Sequence, residues 1–275
     1  MKIAITGSRG FIGAATVRAA EAAGHQVVHF DHADGVDVAE AEDVYEVLDG
    51  VEHVIHLAGV LGTAELFDDA RYAVDVNVHG TLNVLQWCAS SGAGYTGISM
   101  PPVFPSIYTA TKICADRLAT AYHHARGVST SRVIAYNAYG PGQKHGPDHP
   151  QKIIPTFATE AWAGRPLPVW GDGEQTVDLI YVDDIAQMLV DATQFGDDDV
   201  FDAGTGRAFT VNEVAELVRW VTGTDSGIEY LPMRLGELPT KIVAEGRGWD
   251  KLSWRPEFSE GSLIDTVLSY KPVTR

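Results

Sequence analysis

Cysteine is nearly absent from this chain. Only Cys88 and Cys114 occur, both in stretches that read as helices. That is too few for a disulfide framework, and no metal-type spacing surrounds them, so a reduced, cytoplasmic setting is expected. Long apolar runs are also missing. No stretch approaches the roughly 18 residues of a membrane span. The short run at residues 3–5 leads straight into glycine instead of forming a signal-peptide core. Basic charge is scarce: 20 Lys and Arg stand against 37 Asp and Glu, a net charge of -17. That sign argues against nucleic acid, whose binders neutralise phosphate, and against docking on anionic membranes. Repeats, low-complexity tracts and long linkers are absent as well. What remains is a 275-residue chain, 45% hydrophobic, which is enough for a sizeable core.

Apolar runs and helical patterns alternate through the first half. Strands are expected at residues 2–6, 26–30, 53–57, 95–99 and 130–136, and helices at 12–23, 39–49, 68–91 and 107–126. This alternation implies parallel pairing, an α/β class and a doubly wound sheet of the Rossmann kind. After Gly140 the order changes. Prolines and glycines crowd residues 140–150, then come a helix at 153–163, strands at 167–170 and 178–182, a helix from Asp183 and a strand at 200–203. The expected division gives 1–139 with 175–204 to a dinucleotide-binding domain. Residues 140–174 with 205–275 form a smaller mixed α/β domain capping the strand ends.

Gly7-Ser8-Arg9-Gly10-Phe11-Ile12-Gly13 joins the first strand to the first helix. Glycines at this spacing let the chain turn sharply and let its backbone approach a pyrophosphate, while the helix N-terminus offers free N–H groups. Asp31, with His32 beside it, ends the second strand 18 residues past Gly13. A carboxylate there accepts both ribose hydroxyls and repels a 2′-phosphate, so NAD is the expected cofactor. Arg9 keeps NADP open, because a loop arginine can also grip that phosphate. Asp37 and Val38 are expected to flank the adenine.

Tyr108 and Lys112 form Y-x-x-x-K, which puts both side chains on one helix face. A free phenol is a poor base at neutral pH, and a nearby ammonium favours its phenolate. Together with Thr6 to Gly13, these residues resemble the extended short-chain dehydrogenase/reductase family. Within it they resemble the NAD-dependent sugar epimerase/dehydratase group, above all its UDP-glucose 4-epimerases. The likeness continues through His56-Leu57-Ala58-Gly59, Asn77-Val78-His79-Gly80-Thr81-Leu82-Asn83 and Ala135 to Gly142. It extends over Gly171 to Asp178 and Tyr181-Val182-Asp183-Asp184. The resemblance implies that Leu57, Ala58, Gly59 and Asn77 contact NAD and that Tyr136 borders the nicotinamide. It implies that Asn137, Arg234 and Glu237 hold the diphosphate and ribose of a nucleotide sugar. It also implies a homodimer, packed through the helices at 68–91 and 107–126.

Three departures stand beside the matches. Met100 falls where the family has the hydroxyl that polarises the reacting oxygen, and a thioether has no donor. Ser99, taken as the catalytic hydroxyl, and Ser106 are the residues left to replace it. Only Pro105, Ser106 and Ile107 separate Phe104 from Tyr108, so a loop that walls the sugar pocket is missing, and the pocket should be open or covered by residues 142–150. Val177 replaces an arginine that grips the diphosphate, with Lys144 and His145 the candidates to compensate. No metal is expected. His123 and His124 are adjacent and diverge on a helix, and His145, Asp148 and His149 lie in a proline-rich loop. The leading function is NAD-dependent 4-epimerisation of a nucleotide sugar. Pro101-Pro102 occupy the acid pair of the dehydratases and disfavour dehydration. A sugar or alcohol dehydrogenase, and a catalytically weak NAD- or nucleotide-sugar-binding protein, remain as alternatives.

Overall fold

The computed structural model describes residues 1–145, 149 and 151–272. Ten elements alternate first: β1 (Lys2–Thr6), α1 (Phe11–Ala22), β2 (Gln26–Phe30), α2 (Ala41–Val47), β3 (His53–His56), α3 (Ala70–Val74), α4 (Gly80–Ser91), β4 (Gly94–Ser99), α5 (Ile107–Arg126) and β5 (Thr130–Ala135). Then come β6 (Asn137–Tyr139), α6 (Ile153–Trp162), β7 (Leu167–Trp170), β8 (Thr176–Tyr181), α7 (Val182–Ala192), β9 (Asp197–Ala203), β10 (Ala208–Thr210), α8 (Val211–Thr222), β11 (Ile228–Leu231) and α9 (Glu260–Ser269).

A six-stranded sheet in the order β2-β1-β3-β4-β5-β9 is parallel throughout. The central β1 and the middle of β3 read as continuous apolar runs because both of their faces are covered. Ala4, Val54, Leu85, Trp87 and Tyr95 pack on one face with α2, α4 and α5. Ile3, Ile5, Ile55, Val133, Ile185, Leu189 and Phe201 pack on the other with α1 and α7. Adjacent residues of one strand thus serve opposite cores. From β1 the chain steps out to β2, then returns past β1 to β3. The crevice for a ligand therefore opens at the carboxyl ends of β1 and β3.

A separate core joins α6, α8 and α9 to β7 and β8 through Phe157, Leu167, Val169, Leu179, Phe209, Val214, Val218, Leu263 and Val267. Helix α8 begins with a reciprocal cap: Glu213 N donates to Thr210 Oγ1 at 3.1 Å, and Thr210 N donates to Glu213 Oε2 at 2.7 Å. Strand β8 lies in a three-stranded sheet with β6 and β10 rather than in the large sheet. The buried Asp178 on β8 accepts hydrogen bonds from Thr205 N at 2.7 Å, Gly206 N at 2.9 Å and Ala244 N at 2.9 Å. That carboxylate pins the chain leaving β9 against the small sheet and fixes one wall of the crevice relative to the other.

The helix expected over 68–91 is broken. A π-helical stretch, Asp75–His79, separates α3 from α4. Such a bulge inserts an extra residue and redirects side chains, here Asn77. Among the described residues, no helix is long and apolar enough to cross a membrane.

Candidate active site

The glycine loop is shaped by close approach. Gly7 has φ +68°, and a Cβ on Gly13 would lie 1.9 Å from Gly7 O. The loop is tied to β2 by Gly7 N donating to Phe30 O at 2.8 Å. The first backbone donor of α1 with a helical partner is Ala14 N, bonded to Gly10 O at 2.8 Å, so the N–H groups of Phe11, Ile12 and Gly13 at the helix start have no helical partner. Ser8 Oγ is buried without a partner. Together these features form a cradle for a pyrophosphate.

The end of β2 closes onto this loop. The Asp31 carboxylate accepts from Arg9 N at 2.8 Å and from Ala33 N at 3.0 Å. The Arg9 side chain forms a forked ion pair with Asp34, with Nε 3.0 Å from Oδ2, and that carboxylate raises the guanidinium above its ordinary value. The loop cation is thus matched by an acid, which offsets part of its attraction for a 2′-phosphate. His32 is exposed, with Nδ1 3.6 Å from Asp37 Oδ2. Asp37 Oδ1 accepts from Ala39 N at 2.9 Å. Val38 is buried and held by Asn83, whose Nδ2 donates to Val38 O at 3.0 Å.

Behind the loop runs a directed chain of hydrogen bonds. Leu57 N and Ala58 N each donate to Thr6 Oγ1 at 3.0 Å. Thr81 Oγ1 donates to Asn77 O at 2.7 Å, so it accepts from His56 Nε2 at 3.1 Å, and His56 Nδ1 accepts from Thr6 Oγ1 at 2.8 Å. His56 is therefore assigned as the neutral Nε2–H tautomer. Burial, reinforced by Lys112, lowers its pKa to about 3. Asn77 clamps the chain after β3: its Oδ1 accepts from Val60 N at 2.8 Å and its Nδ2 donates to Val60 O at 3.1 Å. Nδ2 also reaches Thr111 Oγ1 at 3.0 Å, and Thr111 donates to Tyr108 O at 2.9 Å. One polar chain thus joins the glycine loop to the helix that carries Tyr108.

Helix α5 starts at Ser106, whose Oγ accepts from Thr109 N at 3.2 Å. Tyr108, Lys112 and Asp116 recur every fourth residue and share a face. Burial pushes the Tyr108 phenol well above its ordinary value, and Asp116 adds to the rise. Burial lowers the Lys112 ammonium against the opposing pull of Asp116. Asp116 is itself raised by burial, with Ser99 Oγ donating to its carboxylate. The Ser99 hydroxyl proton is therefore committed to Asp116 at the edge of the cleft. Met100 Sδ lies 3.9 Å from Thr109 Oγ1, and Ser106 Oγ lies 3.1 Å from the same hydroxyl.

A cleft of about 960 Å³ runs from Gly7 to Glu237. It is lined by Gly7, Gly10, Phe11, Ile12, Gly13, Asp31, His32, Asp37, Val38, Leu57, Ala58, Gly59, Ser99, Tyr108, Lys112, Tyr136, Asn137, Arg234 and Glu237. Asn77 stands behind the wall, buried and holding Val60, and Ser106 is likewise buried outside the lining. At the far end Arg234 forks onto Glu237, with Nε 3.0 Å from Oε2, and its guanidinium sits 5.1 Å from the Trp170 ring centroid. Tyr136 is raised by burial and by Asp202.

Val177 is buried in the second core. His145 points elsewhere: its Nε2 is 2.7 Å from Thr159 Oγ1 and its ring meets Tyr270 edge-on. Lys144 and His149 line the cleft, while Asp148 lies outside the described residues. Thr6, His56, Thr81 and Thr111 were not singled out for the site, nor was Lys152, which lines the cleft with its ammonium lowered by burial and by Arg234. The available signal was polar residues standing at buried positions of otherwise apolar elements. Among the described residues, no group of three or more His, Cys, Asp or Glu converges as a metal set.

Known proteins share this fold. The profile of the NAD dependent epimerase/dehydratase family matches residues 3–204. The chain is 27% identical to a UDP-glucose 4-epimerase of Mycolicibacterium smegmatis, over 98% of both chains. It is 28% identical to a dTDP-glucose 4,6-dehydratase of Streptomyces griseus, over 90% of this chain and 79% of the relative. A crystal structure of a Thermotoga maritima UDP-glucose 4-epimerase with UDP-glucose superposes at TM-score 0.90 with 24% identity, covering 98% and 99% of the two chains. A Thermus thermophilus UDP-glucose 4-epimerase in complex with NAD does so at 0.88 with 23% identity, covering both chains fully. With almost three quarters of its length under that profile and a glycine cradle fit for a pyrophosphate, the chain belongs to the NAD dependent epimerase/dehydratase family, whose cofactor is NAD.

Proposed function

We propose that this chain is a nucleotide-sugar epimerase that inverts a sugar carbon, of the UDP-glucose/UDP-galactose 4-epimerising type, through a 4-keto intermediate. The observation that carries this reading is one continuous cleft with the glycine cradle at one end, the Arg234–Glu237 pair at the other, and Tyr108 with Lys112 between them. The cradle, Asp31, Leu57 to Gly59 and Tyr136 would hold the cofactor. Bound there, NAD supplies a hydride acceptor and a positively charged ring.

Tyr108 takes the proton of the reacting hydroxyl as that carbon is oxidised and returns it on reduction. Lys112 steadies the phenolate. Asn137, Arg234 and Glu237 orient the diphosphate and ribose so that the glycosyl group reaches the phenol. In this reading residues 1–139 with 175–204 hold the cofactor, and 140–174 with 205–275, together with Asn137, hold the nucleotide. Pro101 and Pro102 supply no acid for water elimination, which sets the reading against dehydration.

The engagement of Ser99 with Asp116 favours one further reading, a weakly catalytic nucleotide-sugar-binding protein, because Tyr108 then acts without a second donor. The test is interconversion of UDP-glucose and UDP-galactose by the NAD-loaded protein, followed by NMR. Tyr108→Phe is expected to lower the rate by about a hundredfold or more. Tight binding of both ligands without turnover would favour the second reading instead. A homodimer through α3, α4 and α5 is also proposed, supported by exposed Val74 on α3 and Ile113 on α5. A monomer in gel filtration at micromolar concentration would reject it.

A further inference from the structure

The cleft wall at the reacting end is apolar. Met100, Pro101, Val103 and Phe104 line it from the short β4–α5 connection, which turns tightly with Val103 N donating to Pro101 O at 2.9 Å. Leu61 lines it from the chain after β3 and is 48% exposed, so its side chain is left facing open space. The nearby hydroxyls are committed. Ser99 serves Asp116, Ser106 and Thr109 serve each other at 3.1 Å, and Thr111 bridges Asn77 and Tyr108 O. The connection itself, residues 100–105, carries no hydrogen-bonding side chain beyond the Met100 thioether, while Thr63, Glu65, Ser99, Tyr108 and Lys112 line the cleft around it.

A sugar hydroxyl turned to such a wall gives up its water and finds no partner, whereas a methyl group loses nothing and gains apolar contact. We propose that this wall makes the chain select a nucleotide sugar bearing a methyl group at its reacting end over a fully hydroxylated one. The methyl is that of a 6-deoxy sugar or that of an N-acetyl group. The inference rests on the nucleotide-sugar reading and names the glycosyl class that the same site takes.

The test is calorimetric titration of the NAD-loaded protein. UDP and dTDP come first. Glucose, 6-deoxyglucose and N-acetylglucosamine follow, each linked to whichever nucleotide binds tighter. One methyl-bearing sugar is expected to bind about tenfold or more tighter than the glucose conjugate, and its identity tells which methyl the wall receives. Met100→Thr restores a hydroxyl to the wall and should bring that ratio close to one, with the affinity for the bare nucleotide unchanged. Should the variant melt early by circular dichroism, the native protein's ratios decide alone. A glucose conjugate that binds as well as both others overturns the inference and leaves the nucleotide-sugar reading standing. So does a folded Met100→Thr protein with an unaltered ratio. If neither nucleotide binds, both fall together.

Discussion

Acid should loosen this fold through two buried histidines. His53 Nε2 donates to Thr96 Oγ1 at 2.8 Å, which donates to Ser131 Oγ at 2.8 Å, which donates to Ala192 O at 2.8 Å. The direction of that chain places a proton on His53 Nε2, and burial, with His25 adding to the effect, lowers the ring to about 4, which favours its neutral form. His56 is lowered to about 3 by burial and Lys112. A second proton on His56 Nδ1 would face Thr6 Oγ1, whose lone pairs already take Leu57 N and Ala58 N. In the unfolded chain both rings titrate near the ordinary 6.5.

Above that pH neither state carries the protons, and the full stability is present. As pH falls from 6.5 toward the folded values, only the unfolded chain gains them, so stability drains away. At pH 5 each ring has lost 1.5 pH units, about 2 kcal/mol, or about 4 kcal/mol for the pair. That is a large part of the 5–15 kcal/mol typical of a domain. Asp184, raised to about 6 by burial and Asp183, and Asp116, raised by burial, take protons in the folded state and oppose the loss. The histidines must therefore be read individually. Carbon-13 NMR of labelled rings should show both neutral to below pH 5. Urea unfolding at pH 7, 6 and 5 in an Asp184→Asn background should show the midpoint falling. A folded-state titration of either ring near 6.5 would refute the reasoning.

Three other perturbations follow from the site. Gly13→Ala drives a methyl into Gly7 O, so it should cost about 1–3 kcal/mol of stability and abolish saturable NAD binding, as followed by fluorescence. Asp116→Asn removes a negative charge that raises the Tyr108 phenol, so the alkaline rise of kcat/KM should move to lower pH, whereas a purely structural Asp116 would leave the profile in place. Asn77→Leu strips both partners from the Val60 backbone. It should cost about 2–3 kcal/mol in denaturant unfolding and weaken NAD affinity, and an unchanged midpoint would contradict the clamp.

Local features of the fold were legible in the sequence. Helix 107–126 matches α5 residue for residue, because Ser106 caps it and Gly127 ends it. The glycine loop and Asp31 were legible through spacing, since turn, strand end and helix start are neighbours along the chain. The π stretch at Asp75–His79 was not, because the apolar period continues through it and only the tertiary hold on Asn77 explains the extra residue. Nor was the pairing of β8 with β6 and β10, since a short apolar strand carries no mark of which sheet takes it. The partnerships Thr6–His56, Thr81–His56 and Ser99–Asp116 span up to 50 residues of chain and leave no periodic trace.

The Arg9–Asp34 fork has a consequence for how cofactor preference could change in descendants of this chain. The positive group that would welcome a phosphorylated ribose is already installed at the right turn, muzzled by a neighbouring acid. Drift toward the phosphorylated dinucleotide would begin with the loss of a carboxylate, first at Asp34 and then at Asp31, and would need no new base.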